Sequence, residues 1–294
     1  MFLIYKKVKS LFLNRDSFKE KPLRTIFYLI IVLFANILRL KIKYKANLKK
    51  SFFIYTYKPY FNTGVGGTGQ FILREYYDEF FRYGHKVLPK RFNFIDIGCS
   101  RGFFSMYLLK LNGFKSKGIG IDPLKDALLD FDEVLKINQL KSKVNLINGA
   151  ISEFSKKKIP IYKINPKRGT FSSKKNKSNI NKKDTLLTDS YTVDELIFEK
   201  KLLKSVEFIK IDTEGTELEI LKNSEKTLRK FKPIIYSEIT HNRKKILNFL
   251  SKKSYTLYFS SSGKLVRYER GLFKDNKNYF FKGLLAIHKK NNVI

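Results

Sequence analysis

Carboxylates stand where apolar runs end, at Asp96, Asp122, Asp212 and Glu238, with Glu214 and His241 a step beyond. A side chain so placed can accept a ligand hydroxyl, remove a proton, or cap the helix that follows. Residues 92–104 read Phe-Asn-Phe-Ile-Asp-Ile-Gly-Cys-Ser-Arg-Gly-Phe-Phe. The run predicts a short apolar strand ending in an acid, a sharp turn through two glycines, and a helix opening at Phe103. Gly98 permits the turn because it carries no Cβ, and Gly102 lets a backbone or a ligand approach the helix N-terminus. A strand–glycine turn–helix unit at the carboxyl edge of a sheet is the nucleotide crevice of doubly wound α/β folds. The spacing Asp-x-Gly-x-x-x-Gly is not that of dinucleotide enzymes, and no Gly-Lys-Ser/Thr follows, which excludes a phosphate loop. Asp122 stands twenty residues past Gly102. That separation lets a carboxylate at the end of a second strand accept both hydroxyls of an adenosine ribose; capping of the next helix is the competing use.

The elements that must hold these groups alternate. Residues 117–122 read as a second strand, 125–140 as a helix started by Pro123, and 144–151 as a third strand, a rhythm that argues for a parallel sheet. Residues 155–190 break it with eleven Lys/Arg against Asp184 and Asp189. They predict a short edge strand near 159–164 and otherwise a mobile loop over the carboxyl edge, either a solvated charge run or a flap for an anionic substrate. Residues 255–259 and 283–288 read as two final strands joined by a polar, hairpin-like segment.

The chain of 294 residues carries a formal charge of +34. Such a surface attracts nucleic acid, anionic lipid or acidic glycans, although lysine far outnumbers arginine, as an AT-rich coding sequence would also produce. The lone Cys99 excludes an internal disulfide framework and fits a reducing cytosol. The first fifty residues hold thirteen Lys/Arg against Asp16 and Glu20, and enclose an apolar run at 25–38 between Arg24 and Arg39. That run is short for a membrane span, which needs about 20 residues, and no small-residue cleavage site follows it. It predicts an N-terminal helix, either buried in protein or lying at an anionic membrane surface through residues 21–50. A glycine-containing connector and a lead-in helix at 70–83 occupy residues 51–90.

Residues 205–221 contain Lys210-Ile211-Asp212-Thr213-Glu214-Gly215-Thr216-Glu217, preceded by Thr192-Val193-Asp194-Glu195-Leu196. With Gly120-Ile121-Asp122-Pro123, Asn148-Gly149-Ala150-Ile151-Ser152 and Lys232-Pro233-Ile234-Ile235-Tyr236-Ser237-Glu238, these runs resemble the FkbM family of S-adenosylmethionine-dependent methyltransferases over about 94–238. Asp122 stands where many members have Glu, and Cys99-Ser100-Arg101 replaces Ala-Asn-x. The resemblance implies a Rossmann-like class I methyltransferase domain over 91–294. It would have a mostly parallel seven-stranded sheet, helices on both faces and an antiparallel last strand beside the fifth; residues 1–50 lie outside the match and read on their own as an N-terminal helical extension.

The same resemblance implies S-adenosylmethionine as cofactor, with Asp96, Gly98, Gly102, Asp122, Asn148, Gly149 and Asp212 on the cofactor side. The sulfonium already activates the methyl, so the protein must chiefly align an acceptor. A hydroxyl acceptor must also lose its proton, which makes Glu214, His241 and Glu238 the candidate bases; helix capping competes for Glu214 and an exposed structural role for His241. No Cys/His cluster has metal spacing. O-methylation of a glycan sugar or small metabolite, possible anions among them, is the implied activity, in the cytoplasm or peripherally on the inner membrane face. The alternatives are an RNA methyltransferase, against which stands the lack of an Asn-Pro-Pro-aromatic run after the fourth strand, and a non-catalytic basic membrane-surface or RNA-binding protein.

Overall fold

In the computed structural model the described residues are 23, 80–165, 170–172, 185–213, 215–239, 241–261, 264–269 and 283–291. The chain divides into two units, Met1–Tyr77 and Asp78–Ile294, and the sheets belong to the second. The expected N-terminal helix, the connector and residues 70–79 of the lead-in helix lie outside the described residues. Helix α1 (Phe80–Val87) is followed by β1 (Phe94–Ile97), α2 (Phe103–Leu111), β2 (Gly118–Asp122), α3 (Lys125–Ile137) and β3 (Val144–Asn148). Then come β4 (Ala150–Ile151), β5 (Lys156–Asn165), β6 (Thr170–Ser172), β7 (Thr185–Tyr191) and a π-helical turn, Glu195–Glu199. The chain continues through β8 (Phe208–Ile211), α4 (Glu217–Lys222), α5 (Glu225–Phe231), β9 (Ile234–Glu238), α6 (Arg243–Lys252), β10 (Tyr255–Ser261), β11 (Lys264–Arg267) and β12 (Gly283–His288).

Among the described residues the large sheet has eight strands in the order β11-β10-β12-β9-β8-β1-β2-β3. Strands β3, β2, β1, β8 and β9 are parallel neighbours, while β12 runs antiparallel between β9 and β10. The order reverses at β1, which leads to β2 on one side and lies against β8 on the other. This is the switch point at which α/β sheets open a crevice at their carboxyl edge.

The strands are buried on both faces, and their period-two alternation sorts two kinds of side chain. One face carries Ile95, Ile97, Ile119, Ile121, Ile209, Ile211 and Ile235, clustered with Leu218, Leu221, Leu228, Ile246 and Leu250 of α4, α5 and α6. The other face is aromatic. Phe80 of α1 packs 5.1 Å from Phe208 and 4.9 Å from Tyr236, and Phe104 of α2 stacks on Phe208 at 6.0 Å. Helices therefore cover both faces.

Two sequence expectations are corrected. The sheet has an eighth strand, because the polar segment after β10 folds back as β11, pairing Phe259 with Val266. The described part of residues 155–190 holds more than a short edge strand: β5 is ten residues long, pairs antiparallel with β7, and sits in a second sheet of order β4-β7-β5-β6. In that sheet Ile161, opposite Leu186, is buried while Leu187 is exposed. The inward-facing positions are few among the lysines, so the alternation was hidden by composition. The expected third strand, 144–151, is likewise divided between the two sheets as β3 and β4.

Thr192 and Asp194 explain the run that precedes β8. The Glu195 N–H donates to Thr192 Oγ1 at 3.0 Å. Asp194 reaches across to the first turn of α5, where its carboxylate accepts the Lys226 N–H at 2.9 Å and the Thr227 N–H at 2.8 Å. It thereby satisfies donors that a helix start leaves unpaired. Asp194→Ala is expected to lower the unfolding free energy by about 1–3 kcal/mol in urea denaturation. Glu199→Ala, on the exposed end of the π-helical turn, should change it by less than about 0.5 kcal/mol.

Candidate functional site

Parallel register brings the carboxyl ends of five strands to one level. Asp122 is the register partner of Asn148, and Ile97 pairs with both Ile121 and Ile211, while Ile211 pairs with Ser237. The next residue in each strand places Asn148, Asp122, Gly98, Asp212 and Glu238 in a line along the edge, at about 4.8 Å per strand. Sequence reading named all five.

The turn after β1 closes against its neighbours. The N–H groups of Gly98 and Cys99 both donate to the Ile121 carbonyl, at 2.9 and 3.1 Å, and the Asp212 N–H donates to the Ile97 carbonyl at 3.0 Å. Gly98 has φ 75°, and a Cβ there would lie 2.0 Å from the Asp212 carbonyl oxygen, so only glycine fits. Gly102 is held to glycine by a neighbour within the chain. A Cβ there would meet the Phe131 ring at 2.1 Å, so the close approach belongs to α3 of the chain itself.

Asp122 is 7% exposed. Its Oδ2 accepts the Ser100 N–H at 2.8 Å and its Oδ1 the Leu124 N–H at 2.9 Å. The Leu124 bond closes the turn that leads into α3 without capping the helix, which has no side-chain cap, and the bond from Ser100 ties β2 to the glycine turn. Burial raises its pKa above the ordinary value, against the lowering by these two N–H groups and by Lys210. Each carboxylate oxygen retains a second lone pair. Asn148 Nδ2 donates to the Asp122 and Pro123 carbonyls at 3.1 and 3.0 Å. Gly149 is packed against Tyr191 and the Asp189 carbonyl, at the junction of the two sheets.

Asp96 lies within β1 rather than at its end, is 0% exposed, and is the register partner of Lys210 on β8. Lys210, which sequence reading placed in a motif without assigning it a role, is itself only 6% exposed. Its Nζ donates to the Gly98 carbonyl at 2.9 Å and lies 3.3 Å from Asp96 Oδ1 and 3.4 Å from Asp212 Oδ2. The Phe104 ring centroid is 5.6 Å away. Ser105 of α2 donates its hydroxyl to Asp96 Oδ2 at 2.7 Å. One signal was available: an apolar strand that interrupts Ile209 and Ile211 with a lysine must give the ammonium a buried partner. The buried Cys99 thiol is pushed well up by desolvation and by Asp96 and Asp122, which disfavours a thiolate nucleophile.

A second group gathers past β8. Glu214 lies outside the described residues. Gly215 has φ 110°, and a Cβ there would come 3.1 Å from His241 Nδ1, so the residues beyond β8 and β9 are adjacent. Glu217, not named as a site residue from sequence, is 1% exposed and accepts the Gly215 N–H at 2.7 Å through Oε1. Glu238 ends β9 half-buried, and His241 is exposed. Thr213 Oγ1, beside Asp212, is buried with no hydrogen-bond partner among the described residues. No group of three His, Cys, Asp or Glu among the described residues is arranged to hold a metal ion.

These acids, the single lysine among them and the unsatisfied hydroxyl suit a cationic, hydroxyl-bearing ligand. The family model for the methyltransferase FkbM domain matches residues 96–257. No curated protein matches the chain. Among solved structures it is similar to the methyltransferase FkbM from Methylobacillus flagellatus KT, at 16% identity and a TM-score of 0.45, covering 68% of this chain and 44% of that one. It is also similar to a SAM-dependent O-methyltransferase from Thermotoga maritima, at 11% identity and a TM-score of 0.41, covering 80% of this chain and 73% of that one. A putative rRNA-methylase from Clostridium thermocellum matches at 14% identity and a TM-score of 0.40, covering 70% of this chain and 90% of that one.

Burial raises the Glu217 pKa above its ordinary 4.5; the N–H groups of Gly215 and of Glu217 itself lower it, Asp212 raises it and His241 lowers it. An acid whose folded pKa is raised stabilises the fold below its unfolded value, and that contribution is lost as pH rises through the folded value. Glu217→Gln keeps an oxygen for the Gly215 N–H without titrating. Its melting temperature relative to wild type is therefore expected to climb as pH rises above 4.5. A difference that stays flat with pH would mean that Glu217 is not desolvated in this way.

Proposed function

The chain belongs to the FkbM family of methyltransferases, and from that premise we propose that it transfers a methyl group from S-adenosylmethionine to a hydroxyl oxygen of a sugar or small metabolite. The observation that carries this reading is the acid-lined carboxyl edge, where Asp122, Gly98, Asp212 and Glu238 share one level above the buried Asp96–Lys210 pair. S-adenosylmethionine supplies a methyl already activated by its sulfonium. The chain must bind the donor, align an acceptor and receive a proton.

On this reading Asp122 accepts the ribose hydroxyls through its remaining lone pairs, and the Gly98–Gly102 turn lies beside the amino-acid portion. Asn148 and Gly149 complete the cofactor side at the end of β3. Asp96 and Asp212 give the crevice the negative character that a cation requires. On the acceptor side, at least one of Glu214, His241 and Glu238 takes the hydroxyl proton as the new bond to carbon forms. Asp212-Thr213-Glu214-Gly215 stands where amine-methylating enzymes of nucleic acids carry Asn-Pro-Pro-aromatic, which favours a hydroxyl acceptor over a base amine.

The basic, apolar stretch at 21–50 supports a peripheral role at an anionic membrane. Among the described residues no helix is long and apolar enough to cross one. The full chain is expected to sediment with anionic liposomes, less so as salt rises, and a chain starting at Ser51 is not. Equal sedimentation of both would assign the contact elsewhere.

The functional test separates binding from turnover. Asp122→Ala should weaken S-adenosylhomocysteine binding by about 1.5–3 kcal/mol in calorimetry; an unchanged dissociation constant would remove Asp122 from the ribose. With glycan precursors and RNA offered in parallel, labelled methyl should pass to a sugar hydroxyl. Glu214→Gln or His241→Ala should then cut turnover by about 10²–10⁴-fold with cofactor affinity retained. Full turnover in both would leave alignment alone to carry the reaction, and label in RNA would reverse the acceptor assignment.

A further inference from the structure

Lys210 touches three groups at the heart of the crevice: the Gly98 carbonyl at 2.9 Å, Asp96 at 3.3 Å and Asp212 at 3.4 Å. Its charge is also felt at Asp122, whose carboxyl it lowers in pKa. Two carboxylates thus share one ammonium, in a place where Lys210 and Asp96 are 6% and 0% exposed. Two roles are compatible with that geometry. As a brace, Lys210 would hold β1 to β8 and support any ligand equally. As a source of charge, it would act differently on ligands of different charge.

Resting on the S-adenosylmethionine reading above, we propose that Lys210 balances the charge of the crevice and so determines how strongly the site prefers the cationic donor to the neutral product. The argument follows the charge through the reaction. The S–CH₃ bond breaks with its electron pair going to sulfur, a bond from the acceptor oxygen to the methyl forms, and the hydroxyl proton passes to a base. Positive charge at sulfur is therefore lost on the way to product. A crevice lined by uncompensated carboxylates would hold the sulfonium best in the ground state, and tighter ground-state binding opposes the step. Lys210 offsets part of that attraction while keeping Asp96 and Asp212 available. Because the pair is buried, the effect is screened far less than at a surface.

The ratio of dissociation constants for S-adenosylhomocysteine over S-adenosylmethionine reads this role directly. It is measured by calorimetry on the full chain and needs no acceptor. Lys210→Met is expected to raise the ratio by at least about threefold, since Coulomb interaction across a buried site exceeds that in water. Lys210→Arg should leave it within about twofold. Asp212→Asn, at a side chain 38% exposed and so tolerant of the change, should move the ratio the opposite way. It also provides the test if Lys210→Met does not fold.

Opposite shifts in the two variants support charge balancing. A Lys210→Met variant that loses affinity for both ligands in equal proportion, or an Asp212→Asn ratio that rises, would overturn it and leave Lys210 as a brace. A wild-type chain that binds neither ligand would overturn the S-adenosylmethionine reading itself, an outcome distinct from an unshifted ratio.

Discussion

A lysine and an aspartate facing each other across two central parallel strands impose most of what surrounds them. Asp96 is fully buried and Lys210 nearly so, so the fold must supply their partners. Ser105 satisfies one Asp96 oxygen from α2, which fixes that helix over β1. The Gly98 carbonyl accepts from Lys210, which sets how the glycine turn leaves the strand. Asp212 supplies the second carboxylate and, through its backbone carbonyl, the contact that admits only glycine at position 98. Removing one partner of such a pair is far more costly than replacing both, typically about 3–5 kcal/mol. The pair therefore specifies the crevice more than it stabilises the fold.

The two faces of the sheet divide the labour. Isoleucines on one face meet aliphatic side chains of α4, α5 and α6. The other face is built from rings, which pack Phe80 and Phe104 against Phe208 and Tyr236. Lys210 shares that face with the rings, its ammonium turned over Phe104. The buried ion pair is thereby placed on the aromatic side of the strands, near their carboxyl edge. Past the edge, Gly215 and His241 bring the segments after β8 and β9 together.

How far all this was legible depended on whether the signal was local. The glycine turn and helix after β1, the acid at Asp122 and the last strand each announce themselves through glycine, proline or apolar runs, and they stand in the fold as read; the antiparallel direction of that strand came with the family resemblance. Asp122 carried two readings, and of these the helix cap is not made: its bond to the Leu124 N–H closes the turn before α3 instead. Lys210 and Glu217 lay in the most specific run of the chain, yet their partners are fixed by register and by burial, which spacing does not reveal. Lys210 pairs with a residue 114 positions earlier across adjacent strands. The second sheet was missed for a related reason. Its inward positions, such as Ile161 opposite Leu186, are sparse in a lysine-rich segment whose composition resembles a loop. Asp194 was read as part of a motif, and its true partner, the first turn of α5, follows β8.

The central claim is that the carboxyl edge between β1, β2 and β8 holds a sulfonium nucleoside above the Asp96–Lys210 pair. A crystal structure of the full chain grown with S-adenosylhomocysteine tests it most directly. The account predicts the ribose hydroxyls within hydrogen-bond distance of Asp122 and the thioether sulfur between the Gly98 turn and Asp212. A ligand bound elsewhere on the chain, or one at this edge that leaves Asp122 and Asp212 untouched, would contradict it.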